Sequence, residues 1–211
     1  GGTGSFGGYF IDYLLDKKFK EIRVFSRDEL KQDDMRLRLQ NSKVKFYIGD
    51  VRDRSSVDDA MPDVDYVFHA AALKQVPACE FFPMQAMQTN VIGSQNVIES
   101  AISHRVSKVV SLSTDKAVYP VNSLGITKAL MEKVIQSTSR KLSESQTILT
   151  LVRYGNVLFS RGSVIPLFIK LIRENKPLTV TDHCMTRFLL PLKEAINLVG
   201  FALENGRQGD I

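Results

Sequence analysis

Little in this sequence points to a disulfide-bonded, zinc-binding or membrane-embedded protein. The 211 residues include two cysteines, Cys79 and Cys184, whose separation fits neither a metal-ligand spacing nor a disulfide framework. We therefore expect buried or half-buried free thiols in a reducing compartment. No apolar run reaches the roughly 18 residues that a membrane-spanning helix needs. The glycine-rich first residues lack the basic leader of a signal peptide, which favours a cytoplasmic location.

The charged residues are numerous but are not segregated by sign. Lys and Arg total 28 against 23 Asp and Glu, a net charge of +5. Acidic residues interrupt the basic ones, as in KQDDMRLR (31–38) and VRDRSSVDD (51–59), which is typical of a solvated surface. A positive cleft would suit a phosphorylated small molecule. We therefore predict no nucleic-acid partner and no membrane partner.

Apolar segments of strand length alternate with helical patterns along the chain, which predicts βαβ units and a parallel sheet. The predicted strands cover residues 21–26, 44–48, 65–69, 108–113 and 147–154. The predicted helices cover residues 8–17, 28–40, 83–104, 123–142 and 192–204. The fold class is therefore α/β, a Rossmann-like doubly wound parallel sheet. Because the chain begins inside a glycine-rich loop, we expect a fragment whose first strand is missing. Residues 1–155 would form the dinucleotide-binding domain, and 156–211 the start of a small substrate-binding region.

A glycine-rich loop, GGTGSFGG, opens the chain, with glycines three residues apart before a helical pattern. This spacing lets backbone N–H groups approach a pyrophosphate at a helix N-terminus. The residues that we assign to cofactor binding here are Gly1, Gly2, Thr3, Gly4, Ser5, Phe6 and Gly7. About 20 residues later, where an NAD enzyme usually has an acidic residue, the strand ends in Ser26 and Arg27. A guanidinium suits a 2′-phosphate, so the pattern favours NADP, with NAD as the alternative.

Three further strand ends carry small or polar residues, in the segments GDVRD, FHAAA and LSTDK. Carboxyl ends of parallel strands are where doubly wound sheets bind ligands. The cofactor-binding residues expected from this region are Asp50, Val51, Ala70, Ala71, Ala72, Lys74 and Asn90. Lys74 would also line the sugar pocket, whereas His69 fits a packing role at its strand end.

With FHAAALKQVP, LSTDK, RYGNV and SRGSVIPLF in order, the sequence resembles the extended short-chain dehydrogenase/reductase superfamily. Within it, the chain resembles the polysaccharide-biosynthesis group: C5-inverting UDP-N-acetylglucosamine 4,6-dehydratases and their capsule-type relatives. Members of this group frequently carry the name UDP-glucose 4-epimerase. The resemblance covers essentially the whole chain, and the glycine loop is its least specific part.

The resemblance implies which residues carry the chemistry. Thr114, Asp115 and Lys116 match the Thr-Asp-Lys triplet of these dehydratases. Lys128 matches the lysine that binds the nicotinamide ribose, but the Tyr expected four residues earlier is replaced by Leu124. Some capsule-type members have Met there, so the position tolerates a residue that cannot titrate. Dehydration needs an acid and a base beside the nicotinamide, and a neutral Lys116 next to Asp115 would provide them.

The remaining assignments concern the sugar nucleotide. Tyr154 and Asn156, in RYGNV, are expected near the nicotinamide and the sugar. The residues expected to bind the UDP-sugar are Lys74, Asn156, Ser160, Arg161, Gly162, Ser163 and Arg187. The resemblance also implies a homo-oligomer and a role in capsule or lipopolysaccharide synthesis.

Three other interpretations stay open at this point. A UDP-hexose 4-epimerase shares the C4 oxidation, but such an enzyme relies heavily on the Tyr that Leu124 replaces. A membrane-anchored retaining dehydratase usually has an acidic residue where this chain has Ser26 and Arg27. A non-catalytic dinucleotide sensor would have no need of both Lys116 and Lys128.

Overall fold

The computed structural model describes residues 1–143, 146–159, 163–180 and 182–211. The α-helices are α1 (Ser5–Leu15), α2 (Glu29–Leu39), α3 (Arg54–Asp59), α4 (Val76–Phe81), α5 (Pro83–Met87), α6 (Gly93–Ser103), α7 (Ser123–Ser139), α8 (Val164–Arg173) and α9 (Leu192–Asn205). The strands are β1 (Ile22–Ser26), β2 (Val44–Ile48), β3 (Tyr66–His69), β4 (Lys108–Leu112), β5 (Ile148–Val152), β6 (Asn156–Val157) and β7 (Leu189–Leu190). Within the described ranges, no helix is long and apolar enough to cross a bilayer.

Parallel strand pairs form the framework, as predicted. One sheet pairs β1 with β2, and a second has the order β3-β4-β5. In the second sheet, Lys108 lies opposite both Tyr66 and Ile148. The five strands predicted from the apolar segments all occur at the expected positions; β2 has the predicted bounds, and the other four are shorter by one or two residues at one or both ends. The α/β parallel architecture is therefore confirmed.

Helices cover both faces of the three-stranded sheet. Successive side chains of a strand point to opposite faces, so Val109 and Val110 enter different cores. Val109 packs with Met131 of α7 in one cluster. Val110 packs with Phe10 of α1 and Val199 of α9 in the other cluster. Burial on both faces explains why these strands are almost continuously apolar.

The helix predicted over residues 83–104 consists of α5, a π-helical turn over Gln88–Ile92, and α6. Single π-helical turns inside α-helices frequently occur at functional sites. The short helices α3 and α4 were not predicted, because six residues are too few to reveal a helical period. Both cysteines are free, but Cys184 is exposed and only Cys79 is buried, which corrects the expectation that both are shielded.

The segment after α9 returns to the edge of the sheet. Gly209 donates its backbone N–H to the oxygen of Leu149 (2.9 Å), and Leu151 donates to the oxygen of Asp210 (2.9 Å). Together with α9, this segment covers β5. The division of the chain at residue 155 stays a prediction.

Candidate functional site

A cavity of about 1270 Å³ lies at the carboxyl ends of β1 to β5. Every residue predicted for the glycine loop lines it except Gly2, which lies against Val24. The cavity also includes all the residues predicted at the ends of β1, β2 and β3, together with Lys74. Residues that were predicted from separate strand ends therefore lie around one concave site.

The glycine loop is packed too tightly for side chains. A Cβ on Gly1 would lie 2.5 Å from the carbonyl carbon of Ala70, and one on Gly7 would lie 2.3 Å from the oxygen of Gly2. Gly4 caps α1 without a side-chain acceptor. The residue before α1 therefore supplies no side-chain cap to the helix, and a helix N-terminus of this kind suits a pyrophosphate.

Hydroxyl and cationic groups meet at the end of β1. The Oγ atoms of Thr3 and Ser26 lie 2.7 Å apart, and Ser26 Oγ also accepts the backbone N–H of Asp28 at 3.2 Å. Arg27 is about half exposed, with Nη1 3.4 Å from a carboxylate oxygen of Asp50. Lys31, which sequence reasoning missed, lines the same end of the cavity. Lys31 is ion-paired with Asp28 and Arg27 with Asp50, so a phosphate bound beside the two hydroxyls would share these cations with the two carboxylates.

The Thr-Asp-Lys triplet lies just beyond β4, where residues Asp115–Ala117 form one 3₁₀ turn. Thr114 Oγ1 donates to Asp115 Oδ1 at 2.8 Å. Lys116 Nζ donates to the same Asp115 oxygen at 3.0 Å and to Asn156 Oδ1 at 3.3 Å. A carboxyl group, an amine and an amide thus converge at one strand end.

Two glycines make room for this turn. A Cβ on Gly125, in the first turn of α7, would lie 2.3 Å from the backbone oxygen of Lys116. A Cβ on Gly155 would lie 2.9 Å from the backbone oxygen of Phe188 and 3.4 Å from Asp115 Oδ2. Asn122 begins α7 by accepting the N–H of Gly125 at 2.9 Å. The turn is therefore seated directly on the start of α7.

Leu124 and Lys128 lie one turn apart on α7 and face the same cavity. Lys128 is 5% exposed, and its Nζ donates to the oxygen of Leu112 at 2.7 Å. Burial lowers the pKa of Lys128 to about 8, although the charge of Glu132 opposes this effect. Leu124 is 6% exposed and packs with Cys79. The position at which a dehydrogenase of this type has its Tyr is thus buried and aliphatic.

Tyr154 lines the cavity. Its ring stacks on Phe6, with ring centroids 5.6 Å apart, and burial raises the pKa of its hydroxyl. His69 is buried with Nε2 2.8 Å from Ser94 Oγ. Burial, with a smaller effect of Lys128, lowers the pKa of His69 to about 3. His69 is therefore neutral, in keeping with the packing role expected of it.

Asn90, which was predicted to bind the cofactor, does not line the cavity. Its side chain is completely buried. It accepts the N–H of Leu73 at 2.8 Å, and it donates to the oxygen of Leu73 and to Thr127 Oγ1, each at 3.1 Å. The π-helical turn directs this amide away from the cavity, so Asn90 anchors the loop before α4 to α7.

Of the residues around α8 and in the segment before β7 that were predicted to bind the UDP-sugar, only some lie at the cavity. Ser163 lines the cavity directly before α8. Arg187 is exposed, lies outside the cavity lining, and donates to the oxygen of its neighbour Thr186 at 2.8 Å. Its segment nevertheless runs beside Asn156, whose N–H donates to the oxygen of Phe188 at 2.9 Å. Ser160, Arg161 and Gly162 lie outside the described residues.

Comparison with known proteins places this site in a family. A UDP-glucose 4-epimerase of Rickettsia prowazekii is 60% identical over 215 residues, which cover 100% of this chain and 63% of that protein. The crystal structure of Pen from Bacillus thuringiensis is 43% identical with a TM-score of 0.96, covering 99% of this chain and 64% of that one. This chain therefore spans less than two thirds of the length of these relatives.

A more distant structure shares the fold. DesIV from Streptomyces venezuelae, a dTDP-glucose 4,6-dehydratase with NAD and TYD bound, is 23% identical with a TM-score of 0.91, covering 100% of this chain and 72% of that one. The Rossmann-like fold is thereby confirmed. The family model described as "Polysaccharide biosynthesis protein" matches residues 1–211, and the chain belongs to that family.

Proposed function

We propose that this protein catalyses the NADP-dependent 4,6-dehydration of UDP-N-acetylglucosamine, with inversion at C5, in surface-polysaccharide synthesis. The observation that carries the proposal is the convergence of Asp115, Lys116 and Asn156 at the end of β4. Lys116 and Asn156 line the same cavity as Lys128 and Leu124, which replaces the expected Tyr, and Asp115 is hydrogen-bonded to Lys116. Acid–base groups are thus present beside the proposed sugar site, although the Tyr that is usual at position 124 is missing.

The glycine loop fits a dinucleotide. Added Cβ atoms at Gly1 and Gly7 would overlap neighbouring backbone, so the loop needs the bare backbone that a pyrophosphate contacts. Arg27 and Lys31 would receive the 2′-phosphate that distinguishes NADP from NAD. Lys128 would hydrogen-bond the nicotinamide ribose. When bound, NADP supplies the hydride acceptor for oxidation at C4 of the sugar and the hydride donor for C6.

The residues of this chain would handle the protons of the elimination. A ketone at C4 acidifies the C5 hydrogen, and Lys116 would remove it as a proton. The proton of the C4 hydroxyl would leave through Thr114 or an ordered water beside Lys128 when the hydride is taken from C4. Asp115 would donate a proton to the C6 hydroxyl, which leaves as water. The hydride would then be returned to C6, and C5 would take up a proton on the opposite face, which inverts it. Thr114, hydrogen-bonded to Asp115 at 2.8 Å, would orient that carboxyl. The balance is one UDP-sugar to one 6-deoxy-4-keto sugar and one water.

A UDP-glucose 4-epimerase is the second candidate, because the Rickettsia prowazekii protein at 60% identity bears that name. An epimerase also oxidises C4, but it returns the hydride to C4 and needs no acid for a leaving hydroxyl. Because both reactions oxidise C4, the absence of a proton acceptor at the buried Leu124 does not separate them. Asp115 and Lys116 weigh against the epimerase, because an acid and a base of this kind are needed for an elimination.

The two candidates predict different products. The protein would be incubated with NADP and either UDP-N-acetylglucosamine or UDP-glucose, and the products identified by NMR. We expect a 6-deoxy-4-keto sugar from UDP-N-acetylglucosamine. Conversion of UDP-glucose to UDP-galactose with no keto sugar from either substrate would contradict the proposal and favour the epimerase.

A further inference from the structure

A buried carboxylate lies behind the cavity. The side chain of Glu132, in α7, is 4% exposed and does not line the cavity. It accepts hydrogen bonds from Ser113 Oγ at 2.5 Å, from Arg153 Nε at 2.8 Å and from Arg153 Nη2 at 2.5 Å. None of these three residues has a part in the proposed chemistry.

The partners of Glu132 mark the ends of two strands. Ser113 directly precedes the Thr114–Lys116 turn, and Arg153 directly precedes the segment that contains Asn156. The two segments continue the strand pairing, since Ser113 N donates to Val152 O at 2.8 Å and Asp115 N donates to Tyr154 O at 3.1 Å. Glu132 therefore bonds to both strand ends at the point where they enter the site.

Glu132 is also one helical turn from Lys128, on the same side of α7. Burial alone would raise the pKa of Glu132, but the hydrogen bonds from Arg153 and Ser113 and the charges of Arg153 and Lys128 hold it below its usual value. The carboxylate is therefore ionised. A buried carboxylate is costly unless it is fully paired, and the bidentate arginine with the serine hydroxyl provides that pairing.

We propose that Glu132 is a positioning residue, which fixes the ends of β4 and β5 to α7 and places a negative charge beside Lys128. Through Ser113 and Arg153, Glu132 keeps Lys116 Nζ within hydrogen-bond distance of Asn156 Oδ1, 3.3 Å. The part of this inference that concerns turnover rests on the function proposed above, whereas the part that concerns Lys128 does not.

The other ionisable groups around Lys128 are few in the described part of the chain. His69 of β3 is buried and neutral. Arg153, directly after β5, is paired with Glu132, and Lys116 lies on the turn beyond β4. Glu132 is thus the group whose charge opposes the effect of burial on Lys128.

The decisive variant is Glu132→Gln, which keeps the size of the side chain and removes its charge. The new amide NH₂ would face the Arg153 guanidinium, so one of the three hydrogen bonds must be lost. Glu99→Gln is the matched control, because Glu99 accepts a hydrogen bond from Arg54 at 2.8 Å on the exposed face of α6. Both variants would be compared with the parent protein by thermal unfolding to establish that they fold.

The first readout is independent of turnover. Lysine labelled with ¹³C at Cε would be followed by NMR as a function of pH, with the Lys128 signal assigned from its absence in Lys128→Met. Removing a facing opposite charge lowers the pKa of an amine. We expect the midpoint of the Lys128 titration curve to fall by about one pH unit in Glu132→Gln and to stay unchanged in Glu99→Gln. An unchanged midpoint in a folded Glu132→Gln protein would overturn the electrostatic role.

The second readout is the split between kcat and KM for the UDP-sugar. We expect Glu132→Gln to lower kcat by about tenfold or more, with KM changed by less than about threefold. Ser113→Ala, which removes one hydrogen bond and keeps the ion pair, tests the same role if Glu132→Gln fails to fold. We expect it to lower kcat by about threefold to tenfold without moving the Lys128 midpoint. Unchanged kcat in a folded Ser113→Ala protein would overturn the positioning role, whereas a parent inert on every UDP-sugar would count against the proposed function alone.

Discussion

Burial of Lys128 should cost this protein stability, and the cost can be measured. The folded state lowers the pKa of Lys128 from 10.5 to about 8 because its side chain is buried. One pKa unit corresponds to about 1.4 kcal/mol, so at pH 7 the penalty for holding the ammonium in the folded state is about 3 kcal/mol. Lys128→Met removes this penalty and keeps most of the apolar side chain. It also leaves the oxygen of Leu112 without the hydrogen bond from Nζ, at a cost of about 1 kcal/mol.

The variant should therefore be more stable than the parent by about 2 kcal/mol at pH 7. For a chain of this size, such a difference raises Tm by about 4–8 °C. The pH dependence supplies a sharper test. Between pH 8 and 10.5 the unfolded parent binds more protons at Lys128 than the folded parent, so its stability rises with pH. Relative to Lys128→Met, the parent should gain about 1.3 kcal/mol between pH 7 and pH 9.

The assay is urea unfolding without cofactor at pH 7 and pH 9, followed by circular dichroism. Lys133→Met is the matched control, because Lys133 is the next lysine along α7 and is exposed. The stability of this variant should differ from that of the parent by the same amount at both pH values. If Lys128→Met were less stable than the parent at pH 7 and had the same dependence on pH, the reasoning from burial would be refuted.

Three further predictions concern the proposed chemistry. Arg27→Asp should weaken NADP binding by about 1–3 kcal/mol and change NAD affinity by less than about threefold, as measured by isothermal titration calorimetry. Equal NADP affinity in the variant and the parent would show that Arg27 does not bind the 2′-phosphate. Lys116→Met should abolish dehydration and the exchange of solvent deuterium into C5, with NADP affinity nearly unchanged; continued exchange would place the base elsewhere. Leu124→Tyr should change kcat by about tenfold or less in either direction. General-base catalysis contributes about 10²–10⁴-fold, so a thousandfold gain from an inert parent would mean that position 124 is a disabled site.

The parallel sheet and the glycine loop were predictable because their signals are local. Each strand was visible as a short apolar run, and Gly1 and Gly7 occupy positions where any side chain would overlap backbone. The surroundings of Asn90 could not be predicted for the opposite reason. Its environment depends on a π-helical turn and on Leu73, 17 residues earlier, to which its amide bonds. Sequence periodicity does not reveal which way such a turn directs a side chain.

Glu132 was missed for a related reason. The α7 sequence ALMEKV does not distinguish Glu132 from a charged residue on the surface, and its partner Arg153 is 21 residues away. The available signal was its spacing of four from Lys128, but that spacing alone is also typical of a surface ion pair. Only the packing of β4, β5 and α7 shows that the carboxylate is buried between two strand ends.

The path of the hydride tests the account most directly. The protein would be given NADP and UDP-N-acetylglucosamine carrying deuterium at C4, and the product would be examined by NMR and mass spectrometry. The account predicts a 6-deoxy-4-keto sugar that carries the deuterium at C6 and has lost one water. A product that retains its C6 hydroxyl and carries the deuterium at C4, with inverted configuration there, would contradict it and establish an epimerase.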